Sequence, residues 1–377
     1  GDCHGRRRRK RCRAEAARGL TMMAHLVDSF VEGVTARSIA YVRGQLGRSP
    51  GPLVLFTHGS GFNLGCWEPA LARLAEARTN VEAVALDWSG HGRSRAVPGT
   101  GASAERFVWD EVGCEDLGDV LGATAAAGRT VYGVGHSFGA TALSLMERRH
   151  PGTFAGLVLV EPIIRMPGMP ERHPLVERTL RRRRRFEGAT HEALTERFGQ
   201  SRALQRWHPE ALGRYVGRGF VEAGPGCLEL ACHPEVEASV YLGGMQCDAL
   251  PAVATLACPV VVAAGGRSVT LETAEASSPQ QYAAIHGRCA RSPLPLQVAE
   301  HCGHAVPSTR AVPAPPPTAR ANGAVCWPRP ARARRSGGPG VDGRPGAPRV
   351  ARLWGYRRRR RAEQIQALVR SPGPRPL

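Results

Sequence analysis

From about residue 36 onward, short β-branched runs alternate with longer stretches of helical periodicity. The pattern predicts strands over Ser38–Arg43, Leu53–Thr57, Glu82–Leu86, Val131–Val134, Leu157–Val160 and Val260–Ala264, with a weaker one at Leu296–Ala299. Helices are expected over Trp67–Ala77, Glu111–Ala126 and Ala140–Arg149, the last ending before Pro151. The runs Leu53–Phe56, Leu157–Val160 and Val260–Ala264 are apolar on consecutive residues, which implies strands covered on both faces. Strands and helices in this alternation indicate an α/β fold whose sheet is mostly parallel, with helices on both faces.

The rhythm breaks between Glu161 and Met245, where charged, helical sequence carries no strong strand signal. That length is too great for a crossover loop and is read as a helical insertion over the sheet. The strand rhythm resumes near Pro259 and finishes around His304. After Pro307 the composition changes: residues 308–377 hold twelve Pro, eight Gly and sixteen Arg. Such a segment buries too little apolar surface to offset chain entropy and is expected to be disordered, apart from a short helical fragment at Ala362–Val369. The expected organisation is a basic extension at 1–20, a first core part at 21–161, the insertion at 162–245, a second core part at 246–307 and the tail at 308–377.

Charge follows the same division. The chain of 377 residues has a formal charge of +19, but residues 1–20 carry eight basic against two acidic side chains and residues 308–377 carry sixteen against two. Residues 21–307 are left at −1, so the high charge belongs to the ends and does not argue for a nucleic-acid-binding body. The runs Arg6–Arg11 and Arg357–Arg361 are not interleaved with stacking aromatics, and no specific nucleic-acid partner is expected. Arg181–Arg185, flanked by Glu177 and Glu187, reads as a solvated helix surface, because five adjacent residues cover every side of a helix.

The eleven cysteines include no CxxC pair, and neither Cys227, Cys232 and His233 nor His301, Cys302 and His304 has a second half at zinc-site spacing. Most are read as small core residues in a reducing compartment. The amino terminus lacks the apolar stretch of a secretory signal, so a cytoplasmic location is expected. An organellar transit segment, a basic localisation signal and untranslated sequence ahead of Met22 all remain open readings of residues 1–20. Ala249–Gly266 is uncharged but contains Pro251 and Pro259, which favours a turn and a buried strand over a membrane span.

Chemistry concentrates at Gly135-His136-Ser137-Phe138-Gly139, a G-x-S-x-G sequence placed after a strand and before a helix. In that context the serine sits on a sharp turn with its hydroxyl presented, and the flanking glycines keep side chains clear of the turn. Ser137 is therefore the candidate nucleophile. A second glycine-rich turn, Phe56-Thr-His58-Gly59-Ser60-Gly61-Phe62, follows an apolar strand and can direct a backbone N–H at a developing oxyanion. Either Ser60 or Gly61 supplies that donor, with Ser60 favoured, and the N–H of Phe138 supplies the other.

These pieces resemble the α/β-hydrolase family over about residues 36–307. In order they are the His58-Gly59 loop with Trp67 beyond it, Asp87-Trp-Ser-Gly-His-Gly-Arg-Ser94, Gly135–Gly139 and Cys302-Gly303-His304-Ala-Val-Pro307. The segment from Trp207 to Tyr215, with Leu228–Cys232 and Tyr241, is similar to the cap of an esterase- or lipase-like branch. The resemblance implies a triad in the order serine, acid, histidine, with His304 as general base and His301 its competitor. Family members usually carry Asp after the strand that here is Val260–Ala264, but this loop has Ser268 at the expected place. Glu161, closing the strand Leu157–Val160, is the expected acid, with Glu272 the alternative. In the family a final helix follows the histidine loop directly, so 308–360 is expected to be an inserted segment.

The resemblance implies a serine hydrolase that cleaves a carboxylic ester or related acyl bond in a small molecule, without metal or organic cofactor. The alternative is a catalytically impaired protein of the same fold whose basic ends bind an acidic partner. The sequence leaves oligomeric state and acyl length open.

Overall fold

The computed structural model describes residues 26–265, except 33–36, 47–50, 78–79, 96–106, 125, 127, 166–174 and 202–203, together with Ile285 and residues 297–299. Ser268, Glu272, His301, His304, the extension at 1–20 and the tail at 308–377 therefore lie outside the described residues.

In chain order the core begins with β1 (Val27–Glu32), β2 (Ser38–Gln45), β3 (Leu53–Thr57), a short 3-10 turn at Leu64–Trp67, α1 (Glu68–Glu76) and β4 (Glu82–Leu86). It continues through α2 (Trp109–Ala123), β5 (Val131–His136), α3 (Phe138–Arg149) and β6 (Gly156–Val160). Then come α4 (Leu175–Leu180), β7 (Arg185–Glu187), α5 (His191–Gly199), α6 (Pro209–Gly219), β8 (Phe220–Glu222), β9 (Cys227–Leu230) and α7 (Pro234–Gln246). The chain returns to the sheet through α8 (Leu250–Ala254), β10 (Val260–Gly265) and β11 (Gln297–Ala299).

The main sheet has the order β1-β2-β4-β3-β5-β6-β10-β11. Only β1–β2 and β2–β4 pair antiparallel; every other neighbour pair is parallel. Period-2 alternation splits each strand between two apolar layers. On one face Phe56, Val42, Ala83 and Ala85 pack against Leu64, Trp67, Leu71 and Ala75 of the 3-10 turn and α1. On the other, Leu53, Leu55, Val84, Leu157 and Leu159 pack against Leu117 and Val120 of α2 and Leu143 and Met146 of α3. The expected mostly parallel α/β sheet with helices on both faces is thus the observed architecture.

Three features depart from the reading of the sequence. Strand β1 leaves Val27 and Phe30 exposed, one on each face, and has no clean apolar alternation, so no strand was expected there. Between β6 and β10 the segment is not purely helical: β7, β9 and β8 form an antiparallel three-stranded sheet. Three- and four-residue strands are too short to show a period. The run Arg181–Arg185 is likewise not a helix surface. Helix α4 stops at Leu180, the arginines cross a turn into β7, and Arg182 is drawn into an ion pair with the buried Glu237.

This inserted segment has its own apolar cluster, formed by Phe186, Leu194, Trp207, Leu212, Val216, Phe220 and Leu228. Cys66 and Phe62 of the core join it, so the insertion rests directly on the loop after β3. Among the described residues no helix is long and apolar enough to cross a membrane.

Candidate active site

Parallel pairing of β4, β3, β5, β6 and β10 brings five strand ends to one edge of the sheet. Those ends carry the His58–Asn63 loop, the Asp87 turn, Ser137, Glu161 and Gly265. Ligands of open α/β sheets bind at this carboxyl edge.

Ser137 stands between β5 and α3 with φ 55° and ψ −122°, a conformation that side-chain-bearing residues seldom adopt. The local packing enforces it. A Cβ on Gly135 would lie 2.6 Å from the Ala140 backbone, and one on Gly139 would lie 2.6 Å from the His58 carbonyl oxygen. Only glycine fits at either position, so the turn closes tightly against the end of β3. The Ser137 N–H donates to Val160 O at 2.9 Å, tying the serine to the neighbouring strand. Its carbonyl accepts from Ala140 and Thr141 and opens α3. Phe138 follows as the first helical residue, its ring buried against Trp88, Phe107 and Trp109 with centroids 4.9, 5.5 and 4.7 Å away.

The loop after β3 lies over the serine: a Cβ on Gly59 would come within 3.0 Å of Ser137 Cβ. Two histidines fix this loop. His58 Nε2 accepts from Trp88 N–H at 3.2 Å, so its Nδ1 carries the proton and donates to Gly59 O at 2.8 Å. His91 Nε2 accepts from Gly61 N–H at 3.2 Å, and its Nδ1 donates to Ser89 O at 3.1 Å. Burial pushes both pKa values down, His58 well below the usual range and His91 to about 4. Both rings are neutral and hold backbone. The approach of His58 Nε2 to Asp87 Oδ1, 3.8 Å, is therefore not an ion pair.

Asp87, at the end of β4, is fully buried and accepts from Leu64 N–H at 2.7 Å and Arg93 N–H at 2.9 Å. Burial raises its pKa to about 6, against the lowering effect of those two N–H groups. Gly90 and Gly92 take φ values of 72° and 51° to wrap the turn around this carboxylate. Ser94 Oγ closes it by donating to Asp87 O at 2.7 Å. The Asp87–Ser94 sequence is thus a brace that connects the turn after β4 to the loop over Ser137.

Glu161 follows β6 directly and also has positive φ, 48°. Its N–H donates to Ala263 O at 2.8 Å, and its buried side chain reaches over β10, where Oε1 accepts the N–H of Gly265 at 2.5 Å. The carboxylate is therefore carried from the end of one strand to the exit of the next. Ser60, Phe138, Ser137 and Glu161 share the sheet edge, while His304 and Glu272 lie outside the described residues.

Sequence reasoning missed the contributions of Glu237, Arg182 and Asn63 to this edge. Asn63 caps the 3-10 turn through Gly65 N–H at 3.0 Å and donates from Nδ2 to Tyr215 O of α6 at 2.9 Å. An Asn ahead of a helical turn is a capping signal, but its partner in the insertion, 152 positions away, has none. Among the described residues Cys66, Cys114, Cys227, Cys232 and Cys258 are buried as small core side chains, and Cys247 is half-buried. No group of three or more His, Cys, Asp or Glu among the described residues is placed to hold a metal ion.

Comparison with known proteins agrees with this fold. A segment of 114 residues is 32% identical to 2-(acetamidomethylene)succinate hydrolase of Mesorhizobium japonicum, covering 30% of this chain and 37% of that protein. The match thus spans little more than a third of the relative's length. The crystal structure of E-2-(acetamidomethylene)succinate hydrolase superposes with a TM-score of 0.57 at 19% identity, over 74% of this chain and 92% of that one. A thermophilic esterase from Thermogutta terrifontis gives 0.52 at 20% identity, over 74% and 92%. The sequence pattern of the alpha/beta hydrolase family matches residues 54–321, a span that begins in β3 and takes in the serine turn, the Glu161 strand end and the insertion. The strained serine turn, the sheet that carries it and this match together make the chain a member of the alpha/beta hydrolase family.

Proposed function

We propose that the protein is a serine hydrolase that cleaves a carboxylic ester or related acyl bond through an acyl-enzyme on Ser137. The observation that carries this reading is the backbone of Ser137: φ 55° on a strand-to-helix turn that only glycine neighbours allow. Strain of this kind persists where surrounding structure over-determines it, and here it presents a hydroxyl at the ligand edge of the sheet.

In this reading His304 removes the Ser137 proton as Oγ attacks the acyl carbon, and Glu161 orients the imidazole and stabilises its charge. The reach of Glu161 to Gly265 supports its choice over Glu272, because it delivers a carboxylate to the strand exit whose loop has Ser268. The tetrahedral oxyanion is held by two backbone N–H groups. One is Phe138, at the start of α3, where helix N–H groups have no intrahelical acceptor. The other is Ser60, a choice favoured by the commitment of the Gly61 N–H to His91. His304 then returns the proton to the leaving group, and water, activated by the same imidazole, releases the acid.

The insertion serves as a cap over this edge. Similarity to a hydrolase of an acylamino dicarboxylate and to an esterase supports a small acyl substrate. The test is intact-mass labelling with a fluorophosphonate and turnover of p-nitrophenyl acetate. One adduct on the folded wild type and none on Ser137→Ala, with turnover lost in parallel, is the expected result. A folded wild type that takes no adduct would overturn the proposal and favour the non-catalytic alternative.

A further inference from the structure

The insertion places a charged pair over the oxyanion loop. Glu237 of α7 is buried, and its carboxylate lies so close to Gly61 that a Cβ there would be 2.5 Å from Oε1. Gly61 has φ +73°, which already favours glycine. The carboxylate is held by Tyr241, whose hydroxyl donates to Oε1 at 3.0 Å, and by Arg182, which donates from Nη1 to Oε2. Tyr215 Oη lies 3.5 Å from Gly61 O. The Gly61 peptide is thus contacted by His91 from the core and by Tyr215 and Glu237 from the insertion.

This position has an electrostatic consequence. Gly59 abuts Ser137 and Gly61 abuts Glu237, and two residues of extended chain span at most about 7 Å. A carboxylate set against the loop that offers the Ser60 N–H opposes negative charge at the oxyanion, and more strongly in a water-poor site than in bulk water. Arg182 places a compensating charge on Oε2 of Glu237. Its guanidinium is half exposed, while the Glu237 side chain is only 7% exposed.

We infer that Arg182 is a positioning residue for turnover: it neutralises Glu237, so that the carboxylate can brace the Gly61 loop without opposing negative charge at the oxyanion. The inference rests on the Ser137 hydrolase reading. It assigns a purpose to one arginine of the 181–185 run and makes the insertion part of the catalytic apparatus.

The test compares p-nitrophenyl acetate hydrolysis by the wild type, Arg182→Gln, Glu237→Gln and the double variant. Arg182→Gln is expected to lower kcat about tenfold, the effect of ~1.4 kcal/mol, with KM nearly unchanged. The double variant, which removes both charges, is expected to recover to within about threefold of Glu237→Gln. A merely structural arginine would give a double variant at least as impaired as Arg182→Gln, and that result would overturn the inference. So would an Arg182→Gln protein with wild-type kcat. If Arg182→Gln does not fold, the double variant against Glu237→Gln still decides: equal kcat supports the inference, and a tenfold deficit overturns it. Wild type lacking both turnover and adduct would instead show that the hydrolase reading itself had failed.

Discussion

The Glu161 carboxylate accepts the backbone N–H of Gly265 across 104 positions of sequence, and so joins the ends of two adjacent strands. With Ser137 N–H bonded to Val160 O, three neighbouring strand ends are locked in series. The serine and the carboxylate are thereby tied to each other through the backbone of the strands that carry them.

Glu161→Gln tests what that arrangement is for. Glutamine retains an oxygen for Gly265 but cannot stabilise an imidazolium. Turnover of p-nitrophenyl acetate at pH 7 is expected to fall on the order of 10³–10⁴-fold, with little change in thermal stability. Glu272→Gln, in the same assay, is expected to stay close to wild type. The reverse ranking would move the acid to Glu272.

Gly139→Ala probes the packing beneath the serine. Its Cβ would meet the His58 carbonyl at 2.6 Å and the Thr57 carbonyl at 2.7 Å, both backbone atoms of β3 and its loop. Overpacking of this kind costs about 1–3 kcal/mol. A lower midpoint in urea is expected, together with loss of fluorophosphonate labelling as the turn shifts. Gly128→Ala offers a control, since no atom lies within 4 Å of its added Cβ, although its φ of +80° carries some backbone strain.

His91 gives a pH dependence of known sign. Its pKa is lowered to about 4 in the folded protein by burial, against an ordinary 6.5. The unfolded chain therefore binds the proton first, and the stabilisation is complete above pH 6.5 and lost as pH falls through 4. For a shift of that size the loss between pH 7 and pH 4 is about 3 kcal/mol. Asp87 and Asp116, both raised to about 6, act in the opposite direction, contributing stability below 3.8 that is lost as pH rises through 6. The difference between wild type and His91→Gln cancels those carboxylates. Urea unfolding of the pair should show wild type losing stability relative to the variant on acidification. A constant difference from pH 7 to pH 4 would mean that His91 is not held neutral.

Much of this edge was legible in the sequence because each part is local. The strands at Leu53–Thr57 and Glu82–Leu86 have the expected bounds, since continuous apolar runs ended by turn residues leave little room for error. Helix α3 starts at Phe138, two residues before its periodicity becomes visible, because the serine turn itself opens the helix. What was not legible depends on distant pairing. Nothing near Arg182 announces that it meets Glu237, 55 positions on, and its four neighbouring arginines mask the one that turns inward. The strands β7, β8 and β9 escaped for the same reason: each exists only because the others complete its ladder.

The contact between α7 and the Gly61 loop bears on how such proteins diversify. A layer that only shaped the entrance could be exchanged for another and would change selectivity alone. Here the layer also touches the loop that lies over Ser137, so a transplanted segment would inherit the sheet but not its tuning. Chimeras carrying a foreign segment between residues 162 and 245 would therefore be expected to slow on every substrate alike.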